Sequence, residues 1–141
     1  KIFLWENYFA NDGPKNCKFL KLKPLLGREK TIMSFCSGIG FNLMNQAELS
    51  KLLFLSAKKS LDGIMPEDAF KSACDELCSQ ELSGFILKHK DTFLSQGLDK
   101  IAEDEKKQYI SQLENYKELM AKDIIDWLKG NYNVGPECLT D

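Results

Sequence analysis

Arginine and histidine are nearly absent, with Arg28 and His89 the only examples in 141 residues. One arginine confines bidentate recognition of phosphate or carboxylate to a single position. One histidine means that the commonest catalytic base occurs once. Long apolar runs are missing too, and Leu52 to Leu55 is far too short to cross a bilayer. The net charge is only −2, which argues against a nucleic-acid binder, whose domain is usually basic as a whole. Four prolines and nine glycines exclude a collagen-like or low-complexity chain. The five cysteines are odd in number and widely spread, so they cannot all pair within one chain. They read as small buried thiols of a reducing, cytoplasmic compartment, with Cys74 buried; a secreted disulfide protein is the alternative.

What is present is ordinary globular material: 43% apolar and 28% charged residues. A chain of this length makes one domain and can bury a core without metals or disulfides. Lys1 stands where a methionine would start a chain, which reads as processing or excision from a larger protein. The charge is uneven, with a net +4 over residues 1–30 and −6 over the remainder.

Three stretches follow in order: a basic and apolar segment with a connector (1–44), a helical body (45–130) and an irregular tail (131–141). Ile2 to Phe9 is apolar and aromatic, and Asn11 to Asn16 is a turn signal. Two short extended segments around that turn, Ile2–Phe9 and Cys17–Lys23, fit this pattern; a short helix over Ile2–Ala10 competes. Residues 31–44, with Gly38 and Gly40, read as a buried connector or a broken helix.

The helical signals begin at Asn45. Asn45 and Glu48 have the spacing of a capping box, and Leu49, Leu52, Leu53 and Ala57 share one helical face. Leu61-Asp62-Gly63 ends that helix. Pro66 opens the next, with Glu67 and Asp68 complementing its dipole. Its stripe runs to about Lys90, with a break near Ser79 or Gly84. A long last helix spans 98–129, its stripe passing through Tyr109, Leu113, Tyr116, Met120, Ile124 and Trp127, with Gly130 as its stop. The expected fold is therefore all-α or nearly so. It is an irregular bundle of four to six helices behind a short basic N-terminal segment that is extended in one reading.

Chemical motifs are weak. Cys36 and His89 supply the types of a nucleophile and base, but nothing in the sequence joins them. Cys74, Cys78 and His89 lack the second close pair that a structural zinc site uses. Asp62 to Asp68 lacks the ligand alternation of a calcium loop. Ser37 to Gly40 lacks both the dinucleotide fingerprint and the phosphate-loop ending. No cofactor, metal or catalytic residue is assigned.

The strongest surface signal is Lys15, Lys18, Lys21, Lys23, Arg28 and Lys30, preceded by Trp5 and Phe9. Such a cluster suits an anionic partner, with the aromatics at a lipid interface. The expected function is a non-catalytic protein-binding module, an effector or adaptor domain in the cytoplasm or delivered into a host cell. Its partner is a protein, not a nucleic acid. An anionic lipid headgroup domain is the alternative, and a cysteine-nucleophile enzyme comes third.

Overall fold

The computed structural model describes residues 1–28 and 30–134. The first element is strand β1 (Ile2–Glu6), followed by a single helical turn, α1 (Gly13–Asn16). A second turn, α2 (Ile32–Phe35), leads directly into strand β2 (Cys36–Phe41). Five longer helices follow: α3 (Ala47–Leu61), α4 (Pro66–Leu77), α5 (Gln80–Ser95), α6 (Glu103–Leu113) and α7 (Leu119–Leu128). The chain is mostly helical with one small two-stranded sheet. Among the described residues no helix is long and apolar enough to cross a membrane.

The strand β1 forms where the sequence left strand and helix open. Its partner corrects the reading of residues 31–44 as a buried connector or broken helix. β1 and β2 pair in parallel, Phe3 opposite Gly38, Trp5 opposite Gly40 and Glu6 opposite Phe41. The two glycines that looked like helix breakers are needed by the neighbouring strand. A Cβ on Gly40 would stand 3.1 Å from ring atoms of both Phe3 and Trp5, and one on Gly38 would stand 3.0 Å from Phe3. The rings of β1 lie across β2 in the space that side chains would take.

Parallel strands require a crossover, usually helical. Here residues 7–35 return with only single helical turns, and the second expected extended segment, Cys17–Lys23, is not a strand. This crossover instead packs on the helices. Phe9, Leu20, Leu22 and Leu25 are fully buried in the same core as Leu52, Phe70, Phe93 and Trp127. Each such side chain contributes about 1.5–3 kcal/mol. Hydrogen bonds fix its position: Trp127 Nε1 donates to the Cys17 carbonyl (3.0 Å), Leu98 N to Lys18 (2.9 Å) and Leu20 N to Phe93 (3.3 Å).

The break between α4 and α5 falls at Ser79, whose hydroxyl accepts from Leu82 N. α5 runs beyond Lys90 to Ser95 and stops before Gly97, which has φ +69°. The single long helix expected over 98–129 is in fact two. Glu114 to Glu118 interrupts it, although Tyr109, Leu113, Met120, Ile124 and Trp127 all face the core as the stripe required. Gly130, with φ +78°, follows α7 as the stop signal indicated. The tail beyond residue 134, with Cys138, lies outside the described residues.

The cap of α3 also differs from expectation. Gln46, not Asn45, is the N-cap residue, and its side chain makes no capping bond. Asp123 of α7 reaches across instead, and its Oδ2 accepts from Glu48 N (2.8 Å) and Leu49 N (3.1 Å). Its Oδ1 accepts from the Tyr132 hydroxyl (3.1 Å). Asp123→Ala is expected to cost about 1–2 kcal/mol, the typical worth of a cap. A urea titration followed by circular dichroism measures it, and an unchanged midpoint would show that the cap is idle.

Candidate functional site

Side chains alternate along strands, so Phe3 and Trp5 share a face with Gly38 and Gly40, while Leu4 and Glu6 share the other with Ile39 and Phe41. The second face meets the helices, with Phe41 edge-on to Phe54 of α3. The first is open: Phe3 and Trp5 are each 64% exposed. In parallel α/β arrangements, ligands sit outside the carboxyl ends of the strands. The polar residues of this chain gather there.

Asn7 follows β1 and Asn42 follows β2. The ladder continues past the strands, with Asn42 N donating to the Glu6 carbonyl (2.9 Å). Alternation places both asparagines on the open face. Trp5 Nε1 donates to Asn7 Oδ1 (3.2 Å), which fixes both the indole and the amide. Asn7 keeps its two amide protons for a ligand, and Asp12 is exposed at the end of the same loop. The result is an exposed aromatic plate with the Asn7 amide bonded to it, and with Asn42 and Asp12 in the loops that follow the two strands. Such a site can stack against an apolar sugar face while hydrogen-bonding hydroxyls.

Glu6 is not part of this set. It points to the other face, where Arg28 holds it through Nε at 2.8 Å. That ion pair accounts for the one arginine of the chain, and it ties the crossover to β1.

The six cations singled out in the sequence meet different neighbours. Lys18 pairs with Asp99, which raises its pKa through a hydrogen bond and charge attraction. Lys23 lies 3.6 Å above the Tyr8 ring, where burial and then the charge of Lys21 lower its pKa. Lys21 lies 5.5 Å from the centre of the Phe19 ring. Arg28 binds Glu6, Lys30 lies beside Gly63, and Lys15 is exposed. Phe9 is fully buried and offers no surface to a lipid, whereas Trp5 is open.

The cysteine and histidine candidates are also separated. Cys36 Sγ donates to the Ile32 carbonyl, and His89 packs against Phe85 and Tyr109, each with ring centres 4.7 Å away. Burial pushes the Cys74 thiol up to about 12 and the Cys78 thiol up to about 11, so neither is a ready thiolate. Cys17, Cys36, Cys74 and Cys78 are all free thiols. Among the described residues no cluster of three or more His, Cys, Asp or Glu side chains is arranged to hold a metal. A wide cleft between α6 and α7 carries Lys106 and Lys107, but Glu103 and Asp104 neutralise them, and it lies away from the strand ends.

Burial, and then the charge of Lys88, hold the His89 pKa below its ordinary value, and Glu105 opposes them only in part. The fold therefore favours neutral imidazole. Its contribution to stability is complete above the unfolded value of about 6.5 and is lost as the pH falls through the lower folded value. Unfolding midpoints are expected to fall between pH 7.5 and pH 5, and His89→Gln is expected to flatten that slope. An identical slope in the variant would exclude His89 as its source.

Two parallel strands with an exposed aromatic face and asparagines just beyond their carboxyl ends form a small α/β element, joined here to a helical body. The family model for beta-N-acetylglucosaminidase matches residues 1–87, covering both strands, α3 and α4 and part of α5, and the chain belongs to that family. Among solved structures, a mutant of the Thermobaculum terrenum O-GlcNAc hydrolase is similar, with a TM-score of 0.64 and 21% identity. The match covers 92% of this chain and 35% of that one, so the chain spans about a third of its length. At that identity the likeness is one of fold. No curated protein matches the chain. Membership of a glycosidase family overturns the expected non-catalytic binding module, with its adaptor, effector and lipid-binding readings and its cysteine-nucleophile alternative.

Proposed function

We propose that this chain is part of a glycoside hydrolase acting on β-linked N-acetylglucosamine, and that it supplies a sugar-binding wall at the carboxyl ends of β1 and β2. The observation that carries this reading is the placement of Trp5, Asn7, Asp12 and Asn42 within the stretch that matches the family. The open face of the sheet supports it. Parallel sheets are normally covered on both faces, and a sugar lying against Phe3 and Trp5 would cover the face that this chain leaves open.

Glycoside hydrolysis needs two carboxyl groups flanking the scissile bond. Glu6 is bound to Arg28 on the opposite face, which leaves Asp12 as the single carboxylate among the residues assigned to the sugar wall. The work of these residues is therefore to hold the sugar, not to move its protons. The full-length protein is expected to release the chromophore from an aryl N-acetyl-β-glucosaminide. Trp5→Ala or Asn7→Ala should each lower kcat/KM by about 10-fold or more, a loss of roughly 1.4 kcal/mol. Absence of hydrolysis, or hydrolysis untouched by both variants, would overturn the reading.

A further inference from the structure

We propose that Asn11 and Gln46 are positioning residues, a buried amide clasp that sets the loop after β1 against the loop after β2 and thereby spaces the sugar-binding groups. The proposal rests on the sugar-site reading above.

Both residues are fully buried. Asn11 Nδ2 donates to Gln46 Oε1 (2.7 Å) and to the Phe19 carbonyl (3.1 Å), and Asn11 Oδ1 accepts from Asn45 N (2.8 Å). One amide thus joins three stretches of chain that are distant in sequence. Aspartate in its place would lose both donors, and alanine would lose everything.

Gln46 points to the same role. It stands at the N-cap of α3, where a polar side chain ordinarily bonds the first turn. That task belongs to Asp123, and the Gln46 side chain turns to Asn11 instead. Its Nε2 has no partner among the described residues. A buried unpaired donor is costly, so a residue that is kept despite one calls for a reason. The clasp supplies that reason. Asn7 and Asp12 lie in one of the two loops, and Asn42 lies in the other. Beyond the Glu6–Asn42 backbone bond, these loops meet through the Phe9–Phe41 ring contact, the Asn45 N bond to Asn11 Oδ1 and this amide pair.

The test uses the full-length protein with Asn11→Ala, Gln46→Leu and Gln46→Glu, read by hydrogen exchange and by kinetics on an aryl N-acetyl-β-glucosaminide. Gln46→Leu and Asn11→Ala should each speed exchange in both loops, 7–12 and 42–46, and leave α5 to α7 unchanged. Each should lower kcat/KM by about 10-fold, as expected when binding groups lose their alignment. In an Asn7→Ala background, Gln46→Leu should add little, because it acts through a group already removed. Gln46→Glu retains the acceptor for Asn11 Nδ2 but buries a carboxyl group, so it should keep slow loop exchange only at a pH low enough to protonate it.

Faster exchange confined to the substituted loop, or multiplicative losses in the double variant, would overturn the proposal. If Asn11→Ala fails to fold, the two Gln46 variants decide. If the wild type does not hydrolyse the substrate, the sugar-site reading fails, and exchange alone decides whether the two loops are clasped.

Discussion

Trp127→Ala is expected to cost about 3–5 kcal/mol, a large share of the stability of a typical domain. The indole is fully buried and meets the Phe93 ring edge-on at 5.3 Å. Its Nε1 also donates to the Cys17 carbonyl, 110 positions away in sequence. Truncation would open a cavity at the centre of the helical body and release the crossover that carries the site loops. Trp127→Phe separates the two effects, since it keeps most of the volume and leaves the Cys17 carbonyl unpaired. Urea unfolding by circular dichroism reads both variants. A midpoint unchanged by alanine would mean that Trp127 is not the bridge between crossover and helices.

Gly97→Val is the second large effect. Gly97 has φ +69°, a backbone that L side chains adopt at a cost. A Cβ there would stand 2.9 Å from the Lys18 carbonyl oxygen and 2.7 Å from the Phe19 ring. The carbonyl cannot swing aside, because it accepts from Leu98 N. Strain and overlap together are expected to cost about 2–4 kcal/mol. The same unfolding measurement applies, and a loss below that of an ordinary surface substitution would show that the crossover can retreat from α5.

These two positions mark where reading the chain alone succeeds and where it stops. Trp127 was visible as the end of a helical stripe. Pro66, Ser79 and Gly130 were visible as start, break and stop, because helix signals are local. Gly97 was not, since its role is set by the Lys18 carbonyl and the Phe19 ring. β2 was missed for the same reason. Gly38 and Gly40 weaken any strand judged by itself, and they make sense only under the Phe3 and Trp5 rings. The break at Glu114–Glu118 escaped notice because Tyr116, which is half-buried, kept the apolar rhythm across it.

The site was legible in one residue. Trp5 stood out, though as a lipid anchor. Asp12 falls within the turn signal Asn11–Asn16, and Asn7 and Asn42 carry no signal of their own in the apolar segment and the connector. A signal was present nonetheless: Ile2 to Trp5 is an apolar run followed, after Glu6, by asparagine and, within the next loop, by aspartate. That is the order expected at the carboxyl end of a strand that presents a binding site. The basic residues drew attention by number; of the six, Lys18 pairs with Asp99 and Arg28 with Glu6, while Lys21 and Lys23 lie by the rings of Phe19 and Tyr8.

The most direct test of the account is a crystal structure of the full-length protein soaked with N-acetylglucosamine. The account predicts the sugar on the open face of β1 and β2, its ring against Trp5 and its hydroxyls within hydrogen-bond reach of Asn7, Asp12 or Asn42. A sugar bound elsewhere in the protein, with Trp5 covered by its own chain and the three polar side chains untouched, would contradict it.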